Sequence, residues 1–346
     1  MDPKSYPIVS DKQDDAIKNP LVSVVVPLFN GGNYIKDTLM SILSQSYDNF
    51  EILVVDDSSS DDGPIKVSEF MEQYPDKIRM LSHPDHKNLG VAPSRNVAIR
   101  NAKGYYIAFL DQDDIWLPDK LEKQIVALQQ YPEASLVYAK VIYIDEGGKE
   151  KKIRGIHPTY GKGVVGNPRN VFSKLIQEDF IPNLTVLVKK SCLERVGLLD
   201  EGPRYEYEDW LLLSKLAYFY KFLFIPEVLG KWREHSSNYS SNIFNTGQFR
   251  DAEEHCTIAL FSFLVNESGV AFNKIRKHLR CRVWRLFLRA RSWGASKKEL
   301  AKHVLNFINA FPKELRSIQF AFHVAVLIHP QIASSLRRLR RKIVGT

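Results

Sequence analysis

The chain has 346 residues, 44% of them hydrophobic, enough for two or three domains with a sizeable core, which excludes a disordered, collagenous or repeat protein. Its three cysteines, Cys192, Cys256 and Cys281, lie far apart with no CxxC pair, which argues against a disulfide framework or thiolate metal site and points to a reducing compartment. The net charge of +8 divides unevenly: residues 1–269 carry 30 Lys and Arg against 38 Asp and Glu, residues 270–346 carry 18 against 2, so a mildly acidic body precedes a basic tail.

Residues 1–20 form a polar extension without the apolar centre of a signal peptide. From Leu21 short apolar runs alternate with helical spacing. Leu21–Val26 is β-branched and reads as a strand, and Asn33–Ser44 reads as a helix with Ile35, Leu39, Ile42 and Leu43 on one face. Glu51–Val55, Ile78–Leu81 and Tyr105–Leu110 read as further strands, separated by helices at Ile65–Met71 and Val91–Asn101. This alternation predicts an α/β layer with a mostly parallel sheet. A helix at Pro118–Gln130 and a strand at Leu136–Ile144 follow. Asp145–Asn170, rich in Gly and Lys, reads as a long excursion. Regular structure resumes at Asn183–Lys189 and Ser191–Val196, and a helix is expected at Glu208–Tyr218, where two carboxylates in the first turn favour the dipole. Beyond Phe249 the pattern is helical and increasingly basic. The longest late apolar run, Phe320–Ile328, is interrupted by His323 and falls short of the roughly 20 residues that cross a bilayer.

In such sheets ligands bind beyond the carboxyl ends of the strands. Here those ends carry Pro27-Leu28-Phe29-Asn30, Asp56-Asp57-Ser58-Ser59 and Asp111-Gln112-Asp113-Asp114. Crowded carboxylates ionise more cheaply when a cation joins them, and hard oxygen ligands suit Mg²⁺ or Mn²⁺, which would bridge a diphosphate. Taken alone, such a cluster is more often a solvated turn or helix cap. The Asp56–Asp61 stretch can hydrogen-bond a nucleobase and ribose, or can serve as an Asx turn before the next helix. Asn88–Asn96 adds a Gly-containing loop before a helix that bears Arg95.

The order of these pieces, followed by Tyr207-Glu208-Asp209-Trp210 and Trp232-Arg233-Glu234-His235, closely resembles the family 2 glycosyltransferases of GT-A fold: a Rossmann-like mixed sheet flanked by helices, here followed by a helical basic region. The resemblance covers about residues 21–241. It implies a catalytic domain at 21–245, with a nucleotide-binding half at 21–114 and an acceptor half at 115–245, and a C-terminal region at 246–346. It also implies an inverting, non-processive enzyme that moves a sugar from a nucleotide-diphosphate donor, a UDP-sugar favoured, to a hydroxyl of a cell-surface glycan, lipid-linked by expectation. By position, Pro27, Asn30, Asp56, Asp57, Ser59, Arg95, Asp111 and Arg233 would bind donor. Asp113, Asp111 and His235 would hold Mn²⁺ or Mg²⁺. Asp209 would be the general base, with Glu208 and Trp210 binding acceptor or supporting the base.

Three departures stand out. Ser58 occupies the usual Gly position of Asp-Asp-Gly-Ser, Ser94 precedes Arg95-Asn96 where a small apolar residue is common, and Leu211 replaces a frequent acidic residue. The Gln-x-x-Arg-Trp element of processive synthases is absent. Two alternatives stay open at this point. A nucleotidyltransferase-like enzyme wants a basic loop after the first strand, and 27–33 holds no Lys or Arg. A non-catalytic glycan- or nucleic-acid-binding protein has no need of Asp111, Asp113 and Asp209 together.

In the tail, Ile275, Leu279, Val283 and Phe287 recur every four residues within 274–291, which holds eight Lys and Arg, the pattern of an interfacial helix. Arg337-Arg338-Leu339-Arg340-Arg341-Lys342 adds a polybasic cluster. Residues 274–342 are therefore expected to meet an anionic membrane from its cytoplasmic face. A stripe that packs on protein instead is the competing reading. No nucleic-acid partner is expected, since no RRM, KH or zinc-knuckle pattern is present.

Overall fold

The computed structural model describes residues 18–154, 165–166, 168–202, 207–236 and 247–271, and within 274–286 all but 276, 280 and 284. The first strands form where the sequence runs mostly apolar: β1 (Val22–Leu28), β2 (Phe50–Asp56), β3 (Ile78–Ser82) and β4 (Tyr106–Phe109). Strands covered on both faces need no polar alternation. The cover comes from α1 (Ile35–Leu43), α2 (Gly63–Gln73) and α3 (Val91–Asn101). Then follow β5 (Ile115–Trp116), α4 (Lys120–Gln130), β6 (Ala134–Ile144), β7 (Glu150–Arg154), β8 (Val165–Gly166), α5 (Pro168–Leu175), β9 (Leu187–Lys189), α6 (Lys190–Arg195), α7 (Glu208–Phe219) and β10 (Lys221–Arg233).

Among the described residues the sheet has ten strands, in the order β3-β2-β1-β4-β9-β6-β10-β5, with β7 on β6 and β8 on β10. Strands β1 to β4 run parallel. Because β9 is antiparallel to both β4 and β6, β6 points the same way as β4, and β10 is parallel to β6. The carboxyl ends of β1, β2, β3, β4, β6 and β10 therefore share one edge. The sheet is mixed, as the family resemblance implied.

Two parts of the sequence reading change. The 145–170 excursion holds β7, β8 and the start of α5. Strand β10 escaped the pattern because Pro226 and Gly230 interrupt it, and the structure absorbs them as register shifts against β6 between Ile225 and Gly230.

The chain forms two compact units, Tyr6–Asn242 and Ile243–Thr346 with Met1–Ser5. The first contains the whole sheet. In the second, α8 (Gly247–Ser262) runs into a π-helical turn at Phe263–Glu267. Ile275, Leu279 and Val283 are at most 4% exposed. This part of the four-residue stripe is covered by protein and is not free for a bilayer, which corrects the interfacial-helix reading. The reason lies in the same helix: Arg282, between stripe positions, is itself buried in an ion pair with Glu253 at 2.9 Å. Phe287 and residues 337–342 lie outside the described residues. No helix among the described residues is long and apolar enough to cross a membrane.

Candidate active site

The loops after β1 and β2 are knotted together. Asn30 takes φ 51°, its N–H donates to Ser59 Oγ at 3.1 Å, and its Oδ1 accepts from the Ser60 N–H at 2.8 Å. Asp56 Oδ1 accepts from the Ser59 N–H at 3.0 Å, an Asx turn. Ser58, in the position where the family has Gly, adopts φ 69°. A glycine would adopt this left-handed geometry at less cost. Asp57 is turned inward: its two oxygens accept from the Leu89 N–H at 2.7 Å and the Gly90 N–H at 2.8 Å. It fastens the loop before α3, which leaves Asp56 as the acidic side chain nearer solvent. Pro27 lies one residue before the end of β1, paired in register with Val55.

The Asp111–Asp114 loop is held from three sides. Gln112 grips the Phe29 backbone at both ends, accepting from its N–H at 2.7 Å and donating to its carbonyl at 3.0 Å. The Thr38 hydroxyl from α1 lies 2.8 and 2.9 Å from the Gln112 and Asp114 carbonyls. From β10, the Arg233 N–H donates to Asp114 Oδ1 at 2.9 Å and its Nε to the Asp113 carbonyl at 2.9 Å. Arg233 Nη1 and Nη2 reach the Glu146 carbonyl at 2.9 Å and Asp37 Oδ2 at 3.2 Å. Expected as a donor-binding group, Arg233 is a buried brace. Burial, then the charges of Asp113 and Asp111, push the Asp114 carboxyl well above the usual range.

Arg95 joins the two halves of the site. It is 3% exposed. Its Nη2 donates to Asp111 Oδ1 at 2.6 Å and its Nη1 to Glu208 Oε1 at 2.6 Å, a contact spanning 113 residues of chain. Burial opposes the guanidinium charge, but Asp111, Glu208 and Asp209 outweigh it and raise its pKa. On the other side, burial and then the neighbouring Asp209 push Glu208 up to about 7 against the pull of Arg95. Burial likewise raises Asp209, again opposed by Arg95. Asp209 sits in the first turn of α7, its Oδ1 accepting from the Trp210 N–H at 2.6 Å. Trp210 is fully buried and donates from Nε1 to the Leu175 carbonyl at 2.8 Å. It anchors the helix rather than facing an acceptor.

His235 Nε2 lies 2.9 Å from Asp113 Oδ2. Tyr34 stacks on the His235 ring with centroids 4.6 Å apart, and lies 5.1 Å under the Arg233 guanidinium. Among the described residues no group of three His, Cys, Asp or Glu converges on a metal position. Mg²⁺ and Mn²⁺ are commonly held by one or two protein groups plus substrate phosphates, so the Asp113–His235 pair fits such an ion. Asp111 is already paired with Arg95. Sequence reasoning placed Gln112 and Asp114 at this edge without a role for either, and missed Thr38 and Tyr34. Nothing in residue type marks a strap, and only the alternation of Gln112 between two Asp offered a signal.

Acidic strand ends along the shared edge of a mixed sheet match a known architecture. The Staphylococcus aureus TarS 1–349 structure in complex with UDP-GlcNAc superposes with TM-score 0.67 at 18% identity, over 92% of this chain and 91% of that one. The fold is that of the GT-A glycosyltransferases. Residues 23–197 match glycosyl transferase family 2, and the chain belongs to that family. An uncharacterized glycosyltransferase of Rickettsia felis is 31% identical over 71% of this chain and 38% of its own length. The chain thus spans about two fifths of that relative. The UDP-Glc:alpha-D-GlcNAc-diphosphoundecaprenol beta-1,3-glucosyltransferase WfgD of Escherichia coli is 32% identical, over 56% of this chain and 70% of that protein.

Proposed function

We propose that the chain transfers a sugar, with inversion, from a UDP-sugar to a hydroxyl of a lipid-linked glycan acceptor. The Arg95 bridge carries this reading, because it ties the donor-side Asp111 to the Glu208-Asp209 pair in one buried contact. The UDP-GlcNAc bound by the TarS relative and the diphosphoundecaprenol-linked acceptor in the WfgD name support the choice of donor and acceptor class.

In this reading Asp209 takes the acceptor proton as the hydroxyl attacks the anomeric carbon on the face opposite the leaving diphosphate. Burial raises its pKa, which makes it a stronger base than a solvated aspartate, and Arg95 opposes that rise. Arg95 keeps Asp111 and Glu208 in place and limits how far the two α7 carboxylates protonate. Asp113 and His235 would hold Mn²⁺ or Mg²⁺, which when bound supplies positive charge against the leaving diphosphate. Asn30, Asp56 and Ser59 shape the nucleoside end. The polybasic residues 337–342 would keep the enzyme beside an anionic cytoplasmic leaflet where such an acceptor resides.

The test is Asp209→Asn. Sugar transfer should fall at least a thousandfold while UDP binding by calorimetry stays within about twofold; turnover near wild type would remove the assigned base.

A further inference from the structure

The same helix that presents Arg95 presents Asn96, which is 1% exposed. Its side-chain amide is engaged on both sides. Nδ2 donates to the Leu199 carbonyl at 2.9 Å and to Glu201 Oε1 at 2.7 Å, while Oδ1 accepts from the Leu199 N–H at 3.1 Å. Asn96 thus pairs with the Leu199 backbone as a neighbouring strand would. The turn it grips is costly to form: Leu198 sits at φ 62° directly after Gly197 at φ 87°. Ten residues after Leu198 comes Glu208, held by Arg95, and Tyr207 just before it takes φ 89°. Adjacent residues of α3 therefore fasten Leu199 and Glu208, the latter in the first turn of α7.

We infer that Asn96 is a positioning residue for the base Asp209. This rests on the function proposed above, though the fastening itself does not. An unfavourable backbone conformation at Leu198 and Tyr207 persists only where its surroundings over-determine it. Loss of the Asn96 amide releases the Leu199 turn from α3, the helix whose Arg95 holds Glu208, and the start of α7 then holds Asp209 less narrowly. Proton abstraction is sensitive to such misplacement, whereas the nucleoside end, after β1 and β2, has its own hydrogen bonds through Asn30 and Asp56.

The experiment compares the full chain with Asn96→Ala, Asn96→Asp, and Asn96→Asp combined with Glu201→Gln. Asn96→Asp sets a carboxylate against Glu201, and Glu201→Gln removes that repulsion and restores a donor. Hydrogen exchange over 207–219, UDP affinity by calorimetry, and UDP release from UDP-GlcNAc and UDP-glucose are measured. Both single variants should exchange at least tenfold faster over 207–219, keep UDP affinity within twofold, and lose at least tenfold in kcat. The Glu201→Gln combination should recover a substantial part of both losses. Wild-type exchange over 207–219 in both single variants overturns the inference, as does a parallel loss of UDP affinity, which would make Asn96 a donor-site or general folding residue. Failure of the wild-type chain to bind UDP sinks the donor assignment, and the exchange comparison still decides the fastening.

Discussion

Replacing Lys120 with Met should stabilise the protein, by an amount that grows as pH falls. Lys120 opens α4 with 0% exposure, and its Nζ has no hydrogen-bond partner among the described residues. It lies 3.8 Å over the Trp116 ring. A desolvated cation–π contact is worth about 2 kcal/mol, whereas burying an ion without a counter-charge costs several kcal/mol. Burial therefore favours the neutral amine and holds the Lys120 pKa well below the ordinary lysine value. Unfolded, the amine keeps its proton up to about pH 10.4. Below that value and above the folded one, the unfolded state binds more protons, so stability rises with pH. The slope in that window is about 1.4 kcal/mol per pH unit. Met keeps the aliphatic stem and removes the titration. Urea unfolding of both proteins at several pH values below about 10 should show the variant's advantage shrinking as pH rises, by at most about 1.4 kcal/mol per pH unit. A pH-independent difference would refute the neutral amine.

Other perturbations follow from the same edge. Arg95→Met strips the counter-charge from Asp111 and Glu208 and should cost about 3–5 kcal/mol in thermal unfolding; because Arg95 lowers both Glu208 and Asp209, the acid limb of the pH–rate profile should move to higher pH, with Arg95→Lys between. Asp114 has a raised folded pKa, so its contribution to stability is present below the ordinary aspartate value and is lost as pH rises through the folded one; Asp114→Asn should gain on wild type more at pH 8 than at pH 4 by calorimetry. Ser58→Gly relieves a φ of 69° and should change stability by between zero and about +1 kcal/mol, chain entropy offsetting part of the relief. Exchanging Arg337, Arg338, Arg340, Arg341 and Lys342 for Gln should weaken binding to anionic vesicles at low salt, each charge contributing about 1 kcal/mol; unchanged binding would dismiss the membrane role of the cluster.

The carboxyl edge was legible because parallel strands buried on both faces read as unbroken apolar runs, and each run ended in polar groups. Val91–Asn101 was bounded correctly in advance because Gly90 and its own apolar spacing frame it. Strand β10 was not readable: Pro226 and Gly230 break the period that would have marked it. Motifs fared similarly at finer scale. They supply residue types at strand ends, but a side chain's direction depends on partners far along the chain. Asp57 turns inward because two N–H groups at 89 and 90 await it, and Arg233 is spent on Asp37 and the Glu146 carbonyl. Neither partner set lies within the motif.

That spending of cations bears on how a diphosphate can bind at all. Arg95 and Arg233, the two arginines beside Asp111 and Asp113, are both 3% exposed and engaged with protein oxygens. Asp111, Asp113, Glu208 and Asp209 remain along the same edge, so an incoming diphosphate meets carboxylates whose basic partners are already committed. Like charges at close range repel by more than a surface site screens. Positive charge arriving with the ligand would relieve this repulsion, and the Asp113–His235 pair would receive a hard divalent ion. UDP should therefore stabilise the protein only with Mn²⁺ or Mg²⁺ present. At a hundred times its Kd the stabilisation is about 2.7 kcal/mol, read as a thermal shift of several degrees. EDTA should abolish the shift, and Asp113→Asn should abolish it without lowering the melting temperature of the free protein. A full UDP shift in EDTA would show that the committed arginines suffice, and the charge argument would fall.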